Sequence, residues 1–104
     1  MTNEISEDLK KTLTTLLGAI DKIEADRSQH FSGEYFYHLY AYGLGLKREK
    51  LKLESEFFSD ILEGQEAGYI ETTSVGLGDV RFNMGYRINP EKIPEIERLL
   101  SEDS

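Results

Sequence analysis

A chain of 104 residues is long enough for one domain around a single core, and it holds no apolar run near the ~20 residues that cross a bilayer. Cysteine is absent, which excludes a disulfide framework, a thiolate zinc site and a thiol nucleophile together. Twenty acids against twelve bases leave a net charge of −8, a field that repels nucleic acid on average. An apolar fraction of 38% argues against disorder, and the acids near the N-terminus are unlike a signal peptide. A soluble, cytosolic protein of one domain over 1–104, with no membrane contact, is expected.

The first helix is the clearest element. Ile5, Leu9, Leu13, Leu16, Leu17, Ile20 and Ile23 recur at steps of four and three, and Glu4, Glu7 and Asp8 suit the positive end of the helix dipole. The stripe is ample for a core, and its spacing also suits a dimer seam within 1–27. Gly18 interrupts it and is read as a point of close approach. A loop over Asp26–Gly33 follows, with Ser32 as cap of the next element.

Tyr35–Tyr42 is rich enough in aromatics for a strand, yet Phe36, Leu39, Tyr40 and Gly43 lie at helical spacing. Helix is preferred, because no strand of similar strength lies nearby. A buried core helix is the first reading of its tyrosines, a partner-binding surface the second and base stacking the third. Gly43-Leu44-Gly45 ends it. A third helix is expected to begin among Lys47–Lys50 and run to Glu63, with Leu51, Leu53, Phe57, Phe58, Ile61 and Leu62 inward and Gly64 at the C′ position.

Tyr69–Thr73 and Val80–Ile88 read as the arms of a β-hairpin, with Ser74–Asp79 as its glycine-containing tip. The second arm alternates apolar and polar, so one face should be buried. Asn89-Pro90-Glu91 is a helix cap with proline at the first helical position. The last helix should present Ile93, Ile96, Leu99 and Leu100 inward, with 101–104 frayed.

The expected fold is therefore α+β: three N-terminal helices, a two-stranded hairpin and a C-terminal helix. Glu66-Ala67-Gly68-Tyr69-Ile70-Glu71 and Tyr86-Arg87-Ile88-Asn89-Pro90-Glu91-Lys92-Ile93 resemble the entry to and exit from the wing of a winged helix-turn-helix domain. The resemblance spans about residues 34–100, with Gly43 to Leu46 as the turn between its second and third helices. It implies a small DNA-binding transcription regulator, dimeric through its first or last helix. The third helix would enter the major groove and the wing would touch the backbone. Lys47, Arg48, Lys50 and Lys52 would then meet phosphates or base edges of double-stranded DNA, flanked by Arg81 and Arg87.

Charge is unevenly distributed. Residues 35–52 carry about +3 and 53–73 about −6. The acidic block supports a different reading, in which Glu54, Glu56, Asp60 and Glu63 dock a non-catalytic inhibitor, antitoxin or adaptor into a basic groove on a partner protein. Small acidic antitoxins and phage-encoded inhibitors are similar in size and charge. No cofactor is expected. His30, Glu34 and His38 have metal-like spacing, but the intervening Ser32-Gly33 breaks the helix they would need, so a surface role is preferred. Gly43-Leu44-Gly45 and Gly76-Leu77-Gly78 each lack the third glycine of a dinucleotide loop. Neither a catalytic triad nor a nucleophile elbow is present, and an enzyme is not expected.

Overall fold

The computed structural model describes residues 5–45 and 51–102, apart from the side chains of 74, 75, 77, 81–84, 100 and 102. Its order is α1 (Glu7–Lys22), α2 (Gly33–Leu44), α3 (Glu54–Ala67), β1 (Ile70–Leu77), β2 (Val80–Ile88), a 3-10 turn (Pro90–Lys92) and α4 (Ile93–Glu102). The class is α+β. No helix among the described residues is long and apolar enough to cross a membrane.

α1 is the axis of the core. Leu9, Leu13, Leu16, Leu17 and Ile20 are all but inaccessible, so most of its apolar stripe is consumed within the chain, while Ile23 just past its end is 37% exposed. Ser6 caps it by accepting from the Leu9 N–H at 3.1 Å. α2 buries Phe36, Leu39 and Tyr40, while Tyr35 and Tyr42 stay about half exposed. The Ser32 hydroxyl accepts from the Tyr35 N–H at 3.1 Å, confirming the expected cap. The two helices meet where a side chain is missing. A Cβ on Gly43 would lie 2.6 Å from the Thr15 carbonyl oxygen.

Gly18, by contrast, approaches nothing. An added Cβ would meet no atom within 4 Å, so the expectation of close contact there fails. The residue is an exposed helix interior that carries glycine's entropic cost without compensation. Gly18→Ala should therefore stabilise the protein by up to ~1 kcal/mol. Thermal unfolding should shift upward by several degrees; an unchanged or lower midpoint would contradict the open site.

α3 differs from its expected bounds at both ends. It begins at Glu54, after the basic segment rather than within it. The Glu56 carboxylate accepts from the Leu53 N–H at 3.0 Å, and Glu54 and Glu56 occupy the dipole-favoured first turn. It continues past Gly64 to Ala67 and stops at Gly68, whose φ of 87° is the left-handed conformation of a helix end. Gly64 lies inside the helix instead, where a Cβ would come 2.7 Å from Ile70 Cγ1. Its glycine is needed for packing against β1.

The first strand of the hairpin is longer than expected and the tip shorter, while the second strand has its expected bounds, Val80–Ile88. Pairing runs from Ile70–Ile88 to Leu77–Val80, leaving only Gly78 and Asp79 as the loop, with Gly78 at φ 63°. The simple alternation of the second arm is also broken. Thr73 pairs with Gly85 but Ser74 with Asn83, so Met84 is an inserted bulge residue that resets the faces of the arm. A short bridge from Phe31 to Tyr86 adds a third backbone to the outer side of β2, with both N–H···O distances at 2.7 Å.

Aromatic packing unites these parts. Phe36 stacks on Tyr86 with centroids 5.9 Å apart, while Phe57 contacts Phe36, Tyr37, Tyr40 and Phe58 within 6.1 Å. Asn89 caps the 3-10 turn by accepting from the Glu91 N–H at 3.0 Å, and Ile93 and Ile96 then enter the core. Arg27 clasps the opposite side, bonding Asp21 at 2.7 and 2.9 Å and reaching Glu97 of α4 at 3.3 Å. The hydrogen bond from Arg27 holds the Asp21 carboxyl below its ordinary range. A depressed carboxylate stabilises the fold above its unfolded pKa, and that contribution is lost as pH falls through the folded value.

Candidate functional site

α3 has three faces, each fixed by helical spacing. Phe57, Ile61 and Gly64 point into the core. Glu56, Asp60 and Glu63 lie along the flank that turns toward α1. Ser55, Ser59, Leu62 and Glu66 form the exposed outer stripe, with Glu54 at its head and Leu62 55% exposed. The helix contains Glu54, Glu56, Asp60, Glu63 and Glu66 and not one lysine or arginine.

The structure separates acids that the sequence grouped together. The Asp60 carboxylate pairs with Lys52 and accepts from the hydroxyl of Thr12, a fully buried residue, at 2.9 Å. The Glu63 carboxylate accepts from Ser6 twice, from the backbone N–H at 2.9 Å and from the hydroxyl at 2.7 Å, and so completes the N-terminal cap of α1. Both residues therefore tie α3 to α1. Glu54 and Glu66 make no ion pair with a described residue, and Glu56 is exposed beside its bond to Leu53.

The candidate DNA contacts divide similarly. Lys47, Arg48 and Lys50 lie outside the described residues. Arg81 is on β2, opposite Gly76, with its side chain outside the description. Lys52 is 20% exposed, and its ammonium group is shared by Asp60, Thr12 Oγ1 at 3.2 Å and the Asp8 carbonyl at 3.3 Å. The Tyr37 hydroxyl donates to the Lys52 carbonyl at 2.6 Å, fixing the backbone that carries it. Arg87 bonds Glu71 across the hairpin at 2.7 and 2.9 Å and the Ser28 carbonyl at 3.1 Å. These two bases are occupied within the fold, and a phosphate would have to displace carboxylates already bound to them.

An open cleft of about 230 Å³ beside the Lys52–Asp60 pair is lined by Asp8, Lys52, Glu56, Ser59 and Asp60. Its carboxylates outnumber its single ammonium, so its field favours a cation over a phosphate. His30 is exposed before α2, and His38 Nε2 lies 3.8 Å from Glu34. Among the described residues no three His, Cys, Asp or Glu side chains converge as metal ligands.

The sequence signal that most nearly foretold these assignments was the step of four between Glu56 and Asp60 and of three between Asp60 and Glu63. It marks one flank of a helix without showing what the flank faces. No protein-family model, curated protein or solved structure matches the chain.

Proposed function

We propose that this chain is a non-catalytic protein-interaction module that presents the outer stripe of α3 to a basic surface on a partner. The carrying observation is the composition of that stripe. Leu62 is an exposed apolar anchor among Glu54 and Glu66, acids that pair with no described residue, on a helix without a base. Small side chains at Ser55 and Ser59 allow a partner backbone or helix to come close, and charge steers its approach. Glu56 supplies a further acid at the margin. Asp60 and Glu63 are omitted from the docking set because their carboxylates hold α1.

The test uses fluorescence anisotropy with two probes, a Lys/Arg-rich amphipathic helical peptide and a mixed-sequence DNA duplex. The peptide should bind, and Leu62→Ala combined with Glu54→Lys and Glu66→Lys should weaken it at least ~10-fold, or about 1.4 kcal/mol. Leu62→Ala alone should weaken it as well. Binding indifferent to Leu62 would reduce the interaction to bulk charge and sink the assignment.

A second reading, a dimeric winged-helix transcription regulator, is supported by the order of helices and hairpin and by the basic run before α3. It would rely on Lys47, Arg48 and Lys50 rather than on α3 itself. Duplex binding that weakens steeply with salt and disappears on neutralising those three residues would favour it over the protein-docking role.

A further inference from the structure

One row of α3 has an order of its own. Glu54, Phe58, Leu62 and Glu66 recur at steps of four, and on an α-helix such residues form a single ridge inclined to the axis. The row reads acid, apolar, apolar, acid, the same in either direction. Its two acids are separated by about 18 Å of helix rise.

The apolar centre of the row is partly built into the fold. Leu62 is 55% exposed. Phe58 is half-buried, its ring centroid 5.1 Å from that of Phe57 and 5.9 Å from that of Tyr86. It also lies against Gly33 at the start of α2, where an added Cβ would stand 3.3 Å from its Cζ. The Phe58 ring is therefore held in place before any partner arrives. Beside the ridge run the exposed Ser55 and Ser59, whose small side chains leave the adjoining groove open.

The charge around this row has one sign. α3 and the two elements packed against it through Phe57 and Gly64, α2 and β1, contain neither lysine nor arginine. On β2, Arg87 is held by Glu71 and the Ser28 carbonyl, and Arg81 lies toward the hairpin tip.

We propose that the segment bound by α3 is a single amphipathic α-helix whose own row of four-residue steps reads base, apolar, apolar, base. This rests on the docking role given to α3 above and names its occupant. Two such ridges laid side by side cross at about −50° and have equal pitch, so each base meets an acid while the apolar pairs interlock. An extended strand on the same face would leave backbone N–H and C=O groups unpaired, whereas a helix satisfies its own. A second copy of this chain, at a net charge of −8, meets repulsion where a basic helix meets attraction.

Fluorescence anisotropy with two labelled alanine-based peptides of about 20 residues, identical in composition and matched in helicity by circular dichroism, tests the row. One carries lysine at positions n and n+12 and leucine at n+4 and n+8. The other keeps the leucines and moves the lysines to n+2 and n+10, on the opposite side of the helix. The first should bind roughly 5-fold more tightly, the effect of two exposed ion pairs. The double variant Glu54→Gln/Glu66→Gln should abolish that difference, and Leu62→Ala should weaken both peptides. Equal affinities, or a difference that survives the double variant, would overturn the row; the docking role of α3 would stand if Leu62→Ala still weakened both. Binding of both peptides that ignores Leu62 would overturn the row and the docking role together. Failure of both peptides to bind would overturn the row, and the Lys/Arg-rich peptide would then decide the docking role.

Discussion

Phe57→Ala should destabilise the protein by about 3–5 kcal/mol, in the range for removing a fully buried aromatic ring. Phe57 is inaccessible to solvent, and its ring contacts Phe36, Tyr37, Tyr40 and Phe58 with centroids 5.1–6.1 Å apart. It is the point at which α2 and α3 share one cluster, and through Phe36 the cluster reaches Tyr86 of β2. Truncation therefore loosens three elements at once. Domains of this size are stable by only ~5–15 kcal/mol, so the variant should lose a large part of its margin. Its thermal midpoint should fall by roughly 15–30 °C, from the usual entropy of unfolding. Urea unfolding monitored by tyrosine fluorescence would measure the loss; less than ~1 kcal/mol would mean the ring is not the hub described.

Breaking the Lys52–Asp60 pair should have the next largest effect. Their side chains are 20% and 13% exposed, and the buried Thr12 hydroxyl donates to the same carboxylate. Asp60→Ala leaves a partly buried ammonium with two neutral acceptors and only the largely exposed Asp8 carboxylate, 4.0 Å away, as counter-charge, and it leaves a buried hydroxyl without its acceptor. The expected cost is on the order of 3 kcal/mol. Lys52→Met strands the carboxylate instead and should cost less, because Thr12 still donates to it. The double variant Lys52→Met/Asp60→Ala should be more stable than the sum of the single changes requires, since each single change leaves one charge without the partner it has in the pair. Strict additivity in the cycle would show that the pair does not act as a unit. The same variants bear on function. A lysine that contacts phosphate would reduce the salt slope of duplex binding by about one when removed, whereas a structural lysine would change stability and leave the slope alone.

Much of the local architecture was legible. The Ser32 cap and the Asn89-Pro90 entry to the last helix are encoded within three or four consecutive residues, and the α1 stripe in repeated steps of three and four. Each corresponds to a hydrogen bond or buried face in the structure. The aromatic run of α2 was harder, because aromatic content favours strands while the spacing of Phe36, Leu39 and Tyr40 favours a helix. Burial on one side of that helix decided in favour of the spacing. The errors in α3 and the hairpin share a cause. Two glycines competed for the helix end, and only the contact between Gly64 and Ile70 shows that Gly64 packs while Gly68 turns the chain. The Met84 bulge was hidden because a bulge depends on the register of the opposite strand, which one arm's alternation does not contain.

The sequence by itself determined the α+β class, the order of its elements and the inward stripe of α1, because periodicity and capping are short-range properties of the chain. Only the tertiary structure decided which charges remain available. Asp60 reaches Thr12 across 48 residues of sequence, Glu63 reaches Ser6 across 57, and Arg87 reaches the Ser28 carbonyl across 59. Such pairings depend on how helices pack and on which strands meet, and no local pattern records them. They remove Lys52, Arg87, Asp60 and Glu63 from the surface inventory, whereas the outer stripe of α3 stays exposed among the described residues.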